Sequence, residues 1–421
     1  MTIDAAPDTS GRPQPETATT VRGHTPLYTR SVVAIESRAS PRGRLLVSCG
    51  EPSGDLYAGD LVRHLREREG PVEVFGLGGD RLRAEGGLLL AHVRDLAVVG
   101  LLEVLRHLRR LRAIFRSVLD EIERDPPALA VLVDYAEFNL RLARALKRRG
   151  VPVVYYVSPQ VWAWRRGRLR AIRRSVAHMA VIFPFEEALY RDAGVPVTFV
   201  GHPLVDLARP VADRAAFLAS RGLDPARPVL AVLPGSRRQE VAHNLAPIAA
   251  ALALLRERRP DLQLALAVAP SLDARLFDGA LAGLPVTRVH KATHELLSAS
   301  SAGIVASGTA TVEAALLDLP MVVVYRLSAA TYALGKPFVR VPHYAMANLI
   351  AGREVVKELI QNNFRPETVA REVLALLEEP ARRKAVLSGL AEVRSRLGPP
   401  GASARAAELV GRLMGAYLKK A

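Results

Sequence analysis

The sequence predicts an α/β protein built from two halves that face each other across a cleft. Three observations point there. Short apolar runs recur at 44–49, 72–76, 128–133, 152–157, 178–183 and 197–200, and again at 229–233, 263–268, 286–289, 303–306 and 320–325. Runs that are apolar throughout, without polar alternation, belong to parallel strands covered on both faces. Helical patterns separate the runs, as crossover connections require. Several runs also end in glycine-rich or small-residue turns, the place where open parallel sheets hold ligands.

Length and composition set the organisation. A chain of 421 residues exceeds one typical core. Pro210, Pro225 and Pro228 punctuate a crossing between the halves. We expect a tail at 1–42, a first domain at 43–204, a second at 205–385, and C-terminal helices at 386–421 that pack back on the first. With 49% hydrophobic and 24% charged residues, the composition is that of an ordinary globular chain. One cysteine excludes an intrachain disulfide, and no Cys/His cluster has zinc spacing, which suits a reducing cytoplasm. No apolar run approaches the ~18 residues of a membrane span, and the N-terminus lacks a signal-peptide core, so neither secretion nor integration is expected.

The net charge of +16 calls for an anionic partner: nucleic acid, a membrane surface or a charged substrate. High arginine usage on solvated faces is the plain alternative. The first 40 residues hold four arginines and four acids, so the excess lies in the body.

In order, the tail 1–42 is rich in Thr, Ser, Pro, Ala and Gly without periodicity, and reads as disordered. Strand 44–49 carries Cys49, a buried thiol by its apolar setting. It runs into the turn Gly50–Asp55, where glycines let backbone approach a ligand. The segment 99–119 reads as an amphipathic helix, with Leu101, Val104, Leu105, Leu108, Leu111, Phe115 and Val118 on one stripe. Arg106, Arg109, Arg110, Arg112 and Arg116 lie mostly off it, which offers an anionic membrane surface a contact. Run 128–133 ends at Asp134, at a strand's carboxyl end. A helix at 139–149 follows. Trp162 and Trp164 share the loop after 152–157, ahead of Arg165, Arg166, Arg168 and Arg170. The run 197–200 leads to His202.

The second half opens on 229–241, a buried strand, a Pro234–Gly235–Ser236 turn and a helix start. Ser236 is a suitable N-cap, and the free N–H groups and dipole of such a helix favour an anion. Arg237 and Arg238 add forks suited to phosphate. An ordinary turn with solvated arginines would look the same. The pattern is not GxxxxGK[ST], nor does the chain hold GxGxxG. A second small-residue turn precedes Glu313, and helices are expected at 366–378 and 402–418.

Seven motifs in this order carry a resemblance: GEPSGD (50–55), VGLLEVL (99–105), YVSPQVWAWR (156–165), FPFE (183–186), LPGSR (233–237), SGTAT (307–311) and NLIAGREVVKELIQ (348–361). Across about residues 44–420 the chain resembles lipid-A-disaccharide synthase. The resemblance implies a GT-B glycosyltransferase, two Rossmann-like domains around a nucleotide-sugar cleft. It would join UDP-2,3-diacylglucosamine to 2,3-diacylglucosamine 1-phosphate, giving the β-1,6 disaccharide 1-phosphate and UDP, on the inner face of the inner membrane. Asp134, at a strand's carboxyl end, matches the family's essential aspartate and is the expected general base. His202 competes through its near-neutral intrinsic pKa, and Glu51 is a third candidate, better suited to positioning the acceptor. Nucleotide binding falls to Gly235, Ser236, Arg237, Ser307, Gly308, Thr309, Glu313 (on the ribose hydroxyls), Asn348 and Gln361. Ser53, Gly54, Asp55, Trp162 and Trp164 would contact the acceptor sugar or acyl chains. Position 137 is commonly aspartate in the family, whereas this chain has Glu137.

The residues agree with that chemistry. Inverting transfer needs a base on the acceptor hydroxyl and stabilisation of departing UDP. With no Asp-X-Asp pair to hold a metal, that charge falls on helix N-termini and arginines, and no cofactor is expected. A homodimer is allowed. Another UDP-sugar enzyme of the same fold, such as the undecaprenyl-linked N-acetylglucosaminyltransferase or a UDP-GlcNAc 2-epimerase, stays open. A basic nucleic-acid binder is disfavoured, because the arginines are dispersed and no recognition signature is present.

Overall fold

The computed structural model describes residues 43–96, 104–162, 167–328, 332–333 and 341–419. The tail 1–42, positions 99–103 of the basic segment, and Trp164, Arg165 and Arg166 lie outside them. The first sheet has seven strands: β1 Arg44–Cys49, β2 Glu73–Gly78, β3 Leu88–His92, β4 Leu129–Val133, β5 Val153–Tyr156, β6 His178–Val181 and β7 Val197–Phe199. Its helices are α1 Pro52–Glu69, α2 Asp80–Ala84, α3 Val93–Leu96, α4 Val104–Arg124, α5 Ala136–Arg148, α6 Arg168–Ser175 and α7 Pro184–Asp192. Next come α8 Leu204–Leu207 and α9 Arg214–Ser220. The second sheet has six strands: β8 Val229–Leu233, β9 Gln263–Val268, β10 Val286–His290, β11 Ala302–Ala306, β12 Met321–Tyr325 and β13 Lys357–Ile360. Its helices are α10 Arg238–Arg258, α11 Thr293–Ala299, α12 Ala310–Leu316, α13 Met346–Ala351, α14 Pro366–Glu378, α15 Pro380–Arg396 and α16 Ala402–Leu418.

The strand orders are β3-β2-β1-β4-β5-β6-β7 and β10-β9-β8-β11-β12-β13, with every pairing parallel. In each sheet the order reverses beside the first strand, between β1 and β4 and between β8 and β11. Ligands of open sheets bind at such switch points, outside the carboxyl ends. Central strands β4, β8 and β11 are buried along their whole length, as their unbroken apolar runs require. The sequence did not signal β3 and β13. Both are edge strands whose burial is incomplete, and β13 buries only Leu359.

Helix α4 sets Ile114, Val118 and Ile122 into the core, with Leu111 and Phe115 half-covered beside them. Leu108, expected on the same stripe, stays 42% exposed. Arg109, Arg112 and Arg116 face solvent, while Arg110 pairs with Asp95 at 2.5 Å.

Helix α15 belongs to the second domain, where Val386, Leu390 and Val393 join its core. The chain therefore crosses back at 397–401, later than the sequence boundary of 385. Helix α16 then packs on α1, and Ala406, Ala407, Leu409, Val410 and Met414 enter the first domain's core. The two crossings lie side by side. The His202 N–H donates to the Leu397 carbonyl at 2.9 Å, and Asp206 accepts from the N–H groups of Gly401 and Ala402 at 2.9 and 3.2 Å.

Candidate active site

After β4 the chain takes two consecutive left-handed residues, Asp134 (φ +47°) and Tyr135 (φ +48°). Such backbone costs on the order of 1–3 kcal/mol at a non-glycine position, so the surroundings must impose it. They do so through Asn139 and Tyr155. Asn139 Nδ2 donates to the carbonyls of Ser48, Val133 and Asp134 at 3.1, 3.2 and 2.9 Å, and its Oδ1 accepts from Ser48 Oγ. The Tyr155 hydroxyl donates to the Asp134 carbonyl at 2.6 Å. Tyr135 then lies against Gly50, where a Cβ would overlap its ring. The next residue, Glu51, caps α1 and comes into electrostatic reach of Asp134. Burial, and then the Glu51 charge, push the Asp134 carboxyl up to about 6. A carboxylate poised there can accept a proton near neutral pH.

The second domain supplies the opposite charge. Between β8 and α10 the turn Pro234–Arg237 is fixed by Asn244, whose Nδ2 donates to the Pro234 carbonyl at 2.9 Å. Ser236 is not the N-cap; Arg237 is, and Glu240 serves the turn. Glu240 Oε2 accepts from the Ser236 and Arg237 N–H groups at 3.1 and 3.3 Å. Gly235 has φ +136°, and a Cβ there would meet Glu240 at 2.8 Å, so only glycine fits. Arg237 Nη2 reaches across to Glu51 Oε1 at 3.3 Å. Glu51, Asp134 and Arg237 thus gather at one point, from both domains.

Farther along, Ser307 Oγ donates to the Tyr344 carbonyl at 2.7 Å, Gly308 has open space where a Cβ would stand, and Thr309 is exposed. Glu313 is half-buried in α12. Burial raises its pKa against the opposing pull of His294, whose Nε2 lies 3.7 Å away. Sequence reasoning missed His294, a lone histidine at the second position of α11 with no motif around it. It also missed Glu240, whose place three residues after the cap was a legible capping signal. Gln361 takes φ +52° and accepts the Leu327 N–H at 3.4 Å, leaving its buried Nε2 without a partner.

Several expected site residues are used by the fold itself. Asp55 is buried and accepts from the N–H groups of Gly79, Arg81 and Leu82 at 2.6, 2.9 and 3.1 Å, so it caps α2. Asn348 is fully buried and spends its amide on Val355, Val356 and Glu358, stapling the loop before β13. His202 is packed against Phe183 and Tyr57, its Nδ1 accepts the Leu204 N–H at 3.1 Å, and burial pushes it down to about 3. It is a neutral plug at the domain crossing, unsuited to proton abstraction. Gly54 packs toward Cys49, and only Ser53 of that trio is exposed. Trp162 donates to the buried Glu186 at 3.2 Å and sets its edge on Phe185. Glu137 pairs with Arg168. Among the described residues no group of three or more His, Cys, Asp or Glu is placed to hold a metal.

A family model described as Lipid-A-disaccharide synthetase matches residues 45–401. The chain belongs to this family. Lipid-A-disaccharide synthases of Koribacter versatilis, Geobacter sulfurreducens and Myxococcus xanthus are 46%, 43% and 44% identical to it. Each match covers 88% of this chain and 97% of the relative. The synthase is a glycosyltransferase of lipid A biosynthesis. Its fold is GT-B, shared with the calicheamicin glycosyltransferase CalG4 (TM-score 0.57, 18% identity, 89% of this chain and 98% of that one). The same architecture appears in the UDP-GlcNAc 2-epimerase of Neisseria meningitidis solved with UDP-GlcNAc (TM-score 0.63, 13% identity, 87% and 99%). At those identities the likeness concerns the fold alone.

Proposed function

We propose that the enzyme transfers the diacylglucosamine of UDP-2,3-diacylglucosamine to the 6-hydroxyl of 2,3-diacylglucosamine 1-phosphate, with inversion. The products are the β-1,6 disaccharide 1-phosphate and UDP. The observation that carries the reading is the meeting of Asp134 and Glu51 with Arg237 across the cleft. Asp134 takes the acceptor proton as the new C–O bond forms, and Glu51 positions the acceptor. The C1–O bond to UDP breaks, and the negative charge passes to Arg237 and the N–H groups of Ser236 and Arg237. Glu313 holds the ribose hydroxyls, with Gly308 leaving room for backbone approach. Both substrates carry acyl chains, so we place the enzyme on the cytoplasmic face of the inner membrane. The exposed Leu108, Arg109, Arg112 and Arg116 of α4 support that contact. No helix among the described residues is long and apolar enough to cross a membrane.

Incubation with both diacylglucosamine substrates, followed by mass spectrometry, tests the reaction. Tetraacyl disaccharide 1-phosphate and UDP in equal amounts support it. Release of UDP without disaccharide, or turnover of the donor alone to an epimer, would point to a different acceptor or reaction.

A further inference from the structure

The phosphate cradle of the second domain already holds an anion. Glu240 Oε2 sits on the N–H groups of Ser236 and Arg237, and Oε1 lies 3.4 Å from Arg237 Nη1. These are the donors that the proposed function assigns to the diphosphate, and the inference rests on that assignment. A phosphate oxygen bonded to the same two nitrogens would stand within contact distance of the carboxylate. Two anions on one donor pair repel, with little water between them to screen the charge. The side chain is 17% exposed, and the Ser236 and Arg237 it caps are themselves exposed. Helix capping explains only part of the arrangement. A reciprocal capping box needs an acceptor at the cap, and the guanidinium of Arg237 has none. The cap residue here is instead a phosphate ligand held by carboxylates, with Glu240 on its own helix and Glu51 opposite.

We propose that Glu240 is a displaceable internal anion: it fills the cradle in the nucleotide-free enzyme, leaves when the UDP-sugar binds, and returns as UDP departs. Donor affinity is then lowered by the fraction of molecules whose cradle is already filled. The same competition helps expel UDP after transfer, when the product would otherwise hold the site.

Calorimetric titration of the full-length enzyme with UDP tests this, with uridine as control. Glu240→Gln keeps an acceptor for the cap and removes the charge, and Glu240→Ala removes both. Both variants should bind UDP more tightly: Glu240→Ala by about five-fold or more, the factor expected when a mostly filled cradle becomes vacant, and Glu240→Gln because a neutral amide does not repel phosphate. Uridine affinity should stay put, and UDP should inhibit turnover at lower concentration. Weaker or unchanged UDP binding in a variant that melts like wild type overturns the proposal and makes Glu240 a structural brace. Thermal melting identifies a variant that has merely loosened, and Gln is then decisive. Arg237→Ala is run alongside. If it binds UDP like wild type, the phosphate assignment itself fails, whatever Glu240 does.

Discussion

At the end of β4 the protein deprives a carboxylate of water and places a second carboxylate near it. At the end of β8 it does the reverse, surrounding a guanidinium with carboxylates from two domains. The first arrangement raises proton affinity and makes a base. The second keeps an arginine oriented until a stronger anion arrives. Each side also uses the other: Glu51 pushes Asp134 up while holding Arg237. The proposed acid–base and leaving-group roles would then fall to separate residues of one cleft, Asp134 and Arg237, with Glu51 touching both.

The comparison breaks first at Asp134. Asp134→Asn keeps the shape and removes the proton acceptor, so turnover should fall ~100-fold or more with UDP affinity nearly unchanged. Retained turnover would reduce the strained turn to scaffolding. In the wild-type enzyme the deprotonated form is the active one. With the carboxyl at about 6, kcat/KM should be halved near that pH and fall about tenfold per unit below it. A profile flat down to pH 5 contradicts the assignment.

On the other side, Arg237→Ala should weaken UDP binding by about 1.5–3 kcal/mol, the range for hydrogen bonds to charged groups, read by calorimetry. A smaller and different loss is expected at Asn348. Removing its amide leaves buried backbone groups unpaired, so Asn348→Ala should cost about 1–3 kcal/mol of stability in denaturant titration. UDP affinity of the folded fraction should persist. A variant as stable as wild type but unable to bind UDP would return Asn348 to the nucleotide.

The last effect concerns α4, where each arginine counts for less than Arg237. Replacing Arg109, Arg110 and Arg112 with Ser should weaken sedimentation with anionic vesicles at low salt, by ~1 kcal/mol for each arginine near the surface. Arg110 contributes least, because Asp95 already neutralises it. Sedimentation equal to wild type would leave α4 as a packed helix with a wet face.

The sheets were legible because burial on both faces leaves continuous apolar runs, such as 229–233. The edges were legible only in part: β7 and β10 were read, while β3 and β13 were not. At the site, the sequence placed Asp134 and Arg237 beyond strand ends, and the structure sets them beyond β4 and β8. Asp55 and Asn348 have the right chemistry in the right motifs, yet backbone N–H groups claim them, and sequence does not show which partner wins. Glu240 was overlooked for the opposite reason: a glutamate in a first helical turn is ordinary until its carboxylate is seen in the ligand's place.

The return of α16 to the first domain has a consequence for how the chain is made. Ala406, Ala407, Leu409, Val410 and Met414 complete a core whose strands were synthesised hundreds of residues earlier. On the ribosome, α1 can pack on α2 and the sheet but lacks its α16 cover until 402–418 emerge. The second domain, local in sequence from β8 through α15, can close before that. Assembly order should thus run opposite to synthesis order, with the N-terminal domain completed after the second.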